Sequence, residues 1–302
     1  MVWLVGQNGM LGSEVALILE REGIAWVGTD AEVDITSPEA VAAFAAEHRP
    51  AWIVNCAAYT AVDQAEDEEE LAFAVNATGP ENLARAAAEL ASRATRASGP
   101  ATTPRIIHVS TDYVFSGDAS APIPESAAPA PKSAYGRSKA AGEARLAAGY
   151  PRHFIVRTAW LYGPAGRNFV STMLRLLAER DELTVVADQR GTPTYAADLA
   201  EALVALVKGD CSDYGFYHYT NAGETSWYEF ARAIRDEALG CGMIERKTPI
   251  RPVTTVEYPT KAVRPAYSVL SRDRIAAVPG VVIPPWREAL RRYLGRVRRQ
   301  AA

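Results

Sequence analysis

A tyrosine and a lysine stand four residues apart at Tyr135 and Lys139, with Gly136, Arg137 and Ser138 between them. On a helix this spacing stacks the two side chains on one face, one turn apart. An ammonium beside a phenol favours the phenolate, so Lys139 is expected to pull the Tyr135 hydroxyl below its ordinary pKa of about 10. A phenol tuned in this way exchanges a proton with a carbonyl or alcohol oxygen near neutral pH. The pair has work to do only if the chain also brings a hydride carrier and a pocket for a substrate.

The amino terminus carries the pattern of such a carrier's site. Val2-Trp3-Leu4-Val5 reads as a short buried strand, Gly6-Gln7-Asn8-Gly9-Met10-Leu11-Gly12 follows at once, and Ser13 to Glu22 reads as a helix with apolar Val15, Leu17, Ile18 and Leu19. Strand, glycine-rich turn and helix are the context a dinucleotide fingerprint needs. Gly6 permits the tight turn, Gly9 lets backbone approach a pyrophosphate, and Gly12 lets the helix pack closely on the sheet. The free N–H groups of the helix start then face the phosphates. The next predicted strand, Ala25 to Thr29, ends at Asp30, placed to accept from the adenosine ribose hydroxyls. A carboxylate there suits NADH, and no Arg or Lys lies immediately beside it to hold a 2′-phosphate. Asp34 and Ile35 fall near the adenine.

The rest of the first half must position these groups. Predicted strands at Trp52–Asn55, Ile106–Ser110 and Phe154–Arg157 alternate with an Ala-rich helix starting near Pro38 and another over Pro80 to Ala97. Such alternation gives parallel strands with right-handed crossovers, an α/β doubly wound sheet of Rossmann type. A Ser/Thr/Ala/Pro/Gly stretch between Ser92 and Pro104 reads as an exposed loop. Ligands of these sheets bind beyond the carboxyl ends of the strands. Three segments lie there. Asn55-Cys56-Ala57-Ala58-Tyr59-Thr60 offers small residues beside a cofactor. Ser110-Thr111-Asp112-Tyr113 puts the Thr111 hydroxyl at a strand tip, where it can donate to a substrate oxygen. Arg157-Thr158-Ala159-Trp160-Leu161-Tyr162-Gly163 closes the set, and the Tyr135/Lys139 helix runs between the last two.

Composition agrees. The chain has 302 residues, 48% hydrophobic, enough for a large core, and a net charge of −4 that points to no nucleic acid. Cys56, Cys211 and Cys241 are too scattered for a metal or disulfide framework, and Cys56 reads as strand core. No run approaches the length of a membrane span, and the chain enters its first strand directly, so a cytoplasmic protein is expected. Arg291, Arg292, Arg296, Arg298 and Arg299 read as the solvated face of a last helix.

Together these motifs resemble the extended short-chain dehydrogenase/reductases that act on nucleotide sugars. The Gly6/Gly9/Gly12 spacing, Asn55-x-Ala57-Ala58, Ser110-Thr111-Asp112-Tyr113-Val114-Phe115 and Tyr135-x-x-x-Lys139 carry the likeness. Ala61-Val62-Asp63-x-Ala65-Glu66, Val75-Asn76-Ala77, Arg157 to Tyr162, Asp188-Gln189-x-Gly191-x-Pro193-Thr194, Tyr258-Pro259-Thr260 and Arg264-Pro265 narrow it to the dTDP-4-dehydrorhamnose reductases, over nearly the whole chain. The resemblance implies reduction of a dTDP-4-keto sugar with NADH or NADPH. It implies that Tyr135 protonates the C4 oxygen, that Lys139 holds the nicotinamide ribose, and that Thr111 hydrogen-bonds the reacting oxygen. Gly6, Gly9, Met10, Leu11, Gly12, Asp30, Asp34, Ile35, Ala57, Ala58, Tyr59, Thr60 and Val109 would contact the dinucleotide together with Tyr135 and Lys139. Thr111, Asp112 and Trp160 would lie against the sugar nucleotide, with Asn168, Gln189 and Thr192 toward its nucleotide end. For Asn168 and Gln189, ordinary loop or cap roles compete with ligand contact.

Related 4,6-dehydratases carry an Asp-Glu pair after the threonine; here Asp112 is followed by Tyr113, so a second acid for eliminating water is not in place. An epimerase, or a non-catalytic subunit of the kind that serves methionine adenosyltransferase, stays open. Some members of the family hold Mg²⁺ at a dimer interface through acidic side chains. Glu14 matches one such position, but Tyr195-Ala196-Ala197-Asp198 has alanine where a second glutamate would stand and Arg296 falls where a third acid would. Hard cations want several oxygens, so no metal is expected, Glu14 reads as a surface acid, and a homodimer is left open without that bridge. Past Tyr162 the alternation loosens. Helices are predicted over Asn168–Arg180, Tyr195–Lys208 and Ser226–Leu239, the last capped by Ser226 with Glu229, and strands over Leu183–Ala187 and Gly215–Tyr219. A Rossmann domain over 1–160 and a smaller substrate-binding part over 161–302, its chain crossing back to the main sheet, is the expected division.

Overall fold

The computed structural model describes residues 1–96 and 103–301. Six strands form one parallel sheet: β1 (Val2–Val5), β2 (Trp26–Thr29), β3 (Trp52–Asn55), β4 (Arg105–Thr111), β5 (His153–Thr158) and β6 (Gly215–His218). Their order is β6-β5-β4-β3-β1-β2, so the winding reverses between β1 and β3. A crevice opens at such a switch point, beyond the strands' carboxyl ends.

Helices cover both faces, which is why the central strands are buried on both sides rather than on alternate residues. Val2 and Leu4 face one side, where Leu11, Val15 and Leu19 of α1 (Met10–Arg21) pack with Leu199 and Leu203 of the Ala196–Lys208 helix. Trp3 and Val5 face the other, against Val41 of α2 (Pro38–His48), Leu83 and Ala87 of α3 (Gly79–Arg96), and Leu146 of α4 (Ala134–Gly149). The Ala-rich α3 runs through Ser92 to Arg96, in keeping with the helix expected over Pro80 to Ala97 and against the loop expected from Ser92 on; alanine's helix propensity outweighs Ser92 and Thr95. The remainder of that expected loop, 97–102, lies outside the described residues.

The second half contributes β6 to the sheet edge and builds a separate apolar cluster. In chain order its helices are α5 (Phe169–Glu179), α6 (Ala196–Lys208), α7 (Trp227–Gly240) and α8 (Trp286–Ala301); α6 packs on the sheet, and the other three build the separate cluster. Met173, Leu177, Phe230, Ile234, Leu290 and Tyr293 fill that cluster. The capping box at α7 is as read: Ser226 Oγ accepts from Glu229 N, and Glu229 Oε2 accepts from Ser226 N.

The arginines of α8 are not merely solvated. Arg291 pairs with Glu237 of α7, Arg292 with buried Asp198 of α6, and Arg296 with Glu14 of α1 at 2.6 Å. Glu14 is therefore no surface acid; it is 4% exposed and has a guanidinium against it. A buried carboxylate needs a charged partner, and Arg296 is that partner. Among the described residues no helix is long and apolar enough to cross a membrane.

Candidate active site

The first turn of α4 places the tyrosine. Ser133 caps the helix, its Oγ accepting from Gly136 N at 3.1 Å, while Glu66 Oε1 accepts from Ala134 N at 2.8 Å. Gly136 allows the close approach, since a Cβ there would lie 2.3 Å from the Tyr113 carbonyl oxygen. Pressed against the segment after β4, the helix start carries Tyr135 to the Thr111 hydroxyl, and Tyr113 meets the Tyr135 ring edge-on at 5.5 Å. Asn76 ties the Tyr59 segment to the same helix: its Nδ2 donates to Ser138 Oγ and to Tyr59 O, and its Oδ1 accepts from Tyr59 N.

One cavity of about 440 Å³ gathers Tyr135, Lys139, Thr111, Asp112, Val109, Trp160, Thr60, Ala58, Met10, Leu11 and Gly9. A second, about 460 Å³, is lined by Gly6, Gly9, Asp30, Asp34, Ile35, Ala57 and Ala58. The two share Gly9, Cys56 and Ala58, so they form one trough across the switch point. Gly6 has φ +79°, and a Cβ on it would meet Ala57 N at 2.7 Å. Gly12 packs against the loop rather than the sheet: a Cβ there would stand 2.0 Å from Gly6 O. This cradle, with the Asp30 carboxylate at its far end, fits a dinucleotide backbone. In the structure Asp30 Oδ2 accepts from Asn8 N at 2.9 Å, and Asp34 Oδ1 accepts from the Thr36 amide and hydroxyl.

The electrostatics differ from expectation at the central pair. Tyr135 is not drawn down by Lys139. Burial pushes its phenol up to about 12, the Asp112 charge adds to the rise, and the Thr111 hydroxyl opposes it. The Lys139 ammonium donates to Val109 O at 2.8 Å, and burial lowers it from the ordinary 10.5 to about 8. Thr111 Oγ1 donates to Asp112 Oδ1 at 3.0 Å and accepts from Tyr113 N at 3.2 Å. Burial raises Asp112 to about 6.

Other expected residues divide. Trp160 lines the tyrosine cavity with φ +49°, a left-handed conformation for a bulky residue, and stacks on Trp227 at 3.6 Å between ring centroids. Gln189 lines a neighbouring cavity of about 310 Å³ with Phe169, Trp227, Tyr258, Thr260 and Arg264. Asn168 and Thr192 line none of the three. Asn168 caps α5, accepting from Ser171 N and donating to Gly163 O, and Thr192 donates to Gly223 O. Tyr59 also stands back, its hydroxyl donating to Glu68. Cys56 lies one residue past β3, packs against the core as expected and also lines both halves of the trough, with burial raising its thiol to about 12. Sequence reading missed Arg167, a guanidinium in the lining of the tyrosine cavity, and Ser110, whose buried Oγ has no partner among the described residues.

The family model described as the RmlD substrate binding domain matches residues 1–299. A dTDP-4-dehydrorhamnose reductase of Streptomyces griseus is 43% identical, over 95% of this chain and 91% of its own. The chain belongs to the dTDP-4-dehydrorhamnose reductase family. A Streptomyces antibioticus protein named a probable dTDP-4,6-dihydroxy-2-methyloxan-3-one 4-ketoreductase is 42% identical, over 96% of this chain and 94% of its own. Among solved structures, the dTDP-4-dehydrorhamnose reductase of Bacillus anthracis in complex with NADP is similar, at 39% identity and a TM-score of 0.87, covering 98% of both chains. As a reductase of this family the protein is an oxidoreductase of the nicotinamide-dependent, Rossmann-like kind.

Proposed function

We propose that this reductase converts the C4 keto group of dTDP-4-dehydro-L-rhamnose to the alcohol of dTDP-L-rhamnose, using NADH or NADPH. The observation that carries the reading is the single trough in which Tyr135, Lys139 and Thr111 adjoin the glycine-loop cradle. A reduced nicotinamide, when bound, supplies a hydride to the carbonyl carbon. The chain's part is the proton. Thr111 orients the carbonyl oxygen, and Tyr135 gives that oxygen its phenolic proton as the C=O bond becomes C–H and O–H. A phenol raised to about 12 is neutral at pH 7 and holds its proton until the oxygen gains alkoxide character. Lys139, in the lining of the same trough, holds the nicotinamide ribose. Asp112 and Trp160 contact the sugar, Gln189 lies toward the nucleotide, and Arg167 is placed for the diphosphate. Residues 161–302 serve as the substrate-binding part over the crevice.

The test is consumption of NADH or NADPH by the purified protein with the dTDP-4-keto sugar. Turnover to dTDP-L-rhamnose is expected. A protein that turns over neither cofactor sinks the reading; turnover confined to a different 4-keto sugar corrects the substrate.

A further inference from the structure

Behind Lys139 the buried polar groups form a chain with a fixed direction. Asn55 ends β3 and His108 lies within β4, both 0% exposed. The Ala57 amide N–H, which can only donate, reaches Asn55 Oδ1 at 3.0 Å. That settles the side-chain amide, because turning it round would set Nδ2–H against another N–H. Asn55 Nδ2 therefore donates to His108 Nδ1 at 3.0 Å. With Nδ1 accepting, a neutral imidazole carries its proton on Nε2. Burial, and then the Lys139 charge, hold His108 well below its usual range, so the ring is neutral. Its Nε2 lies 3.4 Å from Lys139 Nζ. The ring thus sets an N–H, not a lone pair, against the amine.

We infer that His108 is a positioning residue for Lys139: locked as its Nε2–H form by Asn55, it denies the ammonium a buried acceptor and leaves its hydrogens to Val109 O and the cavity. The inference deepens the proposed reduction and rests on it for its kinetic consequence only. Groups on every side fit this arrangement. Glu143, one turn along α4, is held in a two-point pair by Arg157 of β5, beside which His218 of β6 stands at 3.4 Å. Cys56 past β3 stays a thiol, and Asp112 past β4 lies on the Tyr135 side. No carboxylate is hydrogen-bonded to Lys139 Nζ among the described residues. Burial loosens the ammonium's proton against the opposing charge of Glu143, and Lys139 lines the trough.

Nitrogen-15 NMR of histidine-labelled protein tests this directly, with His108→Gln used to identify the signal by its loss. The wild type is expected to show His108 as the neutral Nε2–H tautomer across neutral pH; an Nδ1–H signal overturns the inference whether or not the protein reduces any sugar. Asn55→Asp should invert the ring, because a carboxylate accepts from both Ala57 N–H and His108 Nδ1–H. Nε2 then accepts from Lys139, and the alkaline limb of kcat/KM should rise by about one pH unit or more. A limb that stays put when the ring inverts, or moves without inversion, contradicts the positioning role. If Asn55→Asp does not fold, the wild-type spectrum decides alone.

Discussion

Two cations are buried against the same helix, α4, and they are held in opposite ways. Arg157 and Lys139 are each 1% exposed. Arg157 meets Glu143 through two hydrogen bonds of 2.9 and 2.7 Å and lies against the Phe115 and Phe216 rings at 4.9 and 4.5 Å. Lys139 has one backbone carbonyl and an imidazole. A buried charge with its partner in place is architecture. One left short of partners has its proton loosened and its hydrogens turned to a cavity, which is the setting of chemistry.

The contrast can be broken from either side. Arg157→Met should cost most, about 3–5 kcal/mol, because it strands the Glu143 carboxylate in the core. Urea unfolding measures it; a loss under about 1 kcal/mol would mean that water reaches Glu143. Lys139→Met should do the reverse to stability while removing activity. Folded Lys139 gives up its proton near pH 8 and the unfolded chain near 10.5, so between these values the unfolded chain binds more protons and wild-type stability rises with pH. Lys139→Met should therefore be the more stable protein at pH 7, by about 3 kcal/mol, with the gain fading as pH climbs from 8 to 10.5. The same proton should appear in wild-type kcat/KM for reduction as a fall above about pH 8. A Lys139→Met protein that unfolds more easily at every pH would show the lysine to be structural.

The smallest effect lies at the far end of the trough. Asp30 faces the glycine-loop cavity, Glu32 accepts from its backbone N–H, and no Lys or Arg among the described residues lines the wall. NADH should be preferred to NADPH, and Asp30→Ser should narrow that preference about tenfold, roughly 1.4 kcal/mol. Equal use of both cofactors by the wild type would remove Asp30 from the choice.

What was legible in the sequence follows the same division. Gly6, Gly9 and Gly12, the alternation of strands and helices, and the Tyr135/Lys139 turn are local patterns, and spacing reads them. The expected downward pull on Tyr135 failed because spacing gives the distance between two side chains along a helix but not what else each can bond. Val109 O takes the ammonium, and burial governs the phenol. His108 was readable only as a strand residue, since its partners lie 53 and 31 positions away. Glu14 and Arg296, 282 apart, belong to the same class, as does the stacking of Trp160 on Trp227. Asn168 was ambiguous by residue type, and the helix start claimed its side chain.

The central claim is that Tyr135 delivers the proton that completes carbonyl reduction, with Lys139 behind it. The direct measurement is kcat for the dTDP-4-keto sugar with wild type and Tyr135→Phe, alongside the dissociation constant of the nicotinamide cofactor for each. Tyr135→Phe should lose about 10²–10⁴-fold in kcat while its cofactor affinity changes little. A Tyr135→Phe protein that reduces the sugar within a few-fold of wild type would contradict the claim.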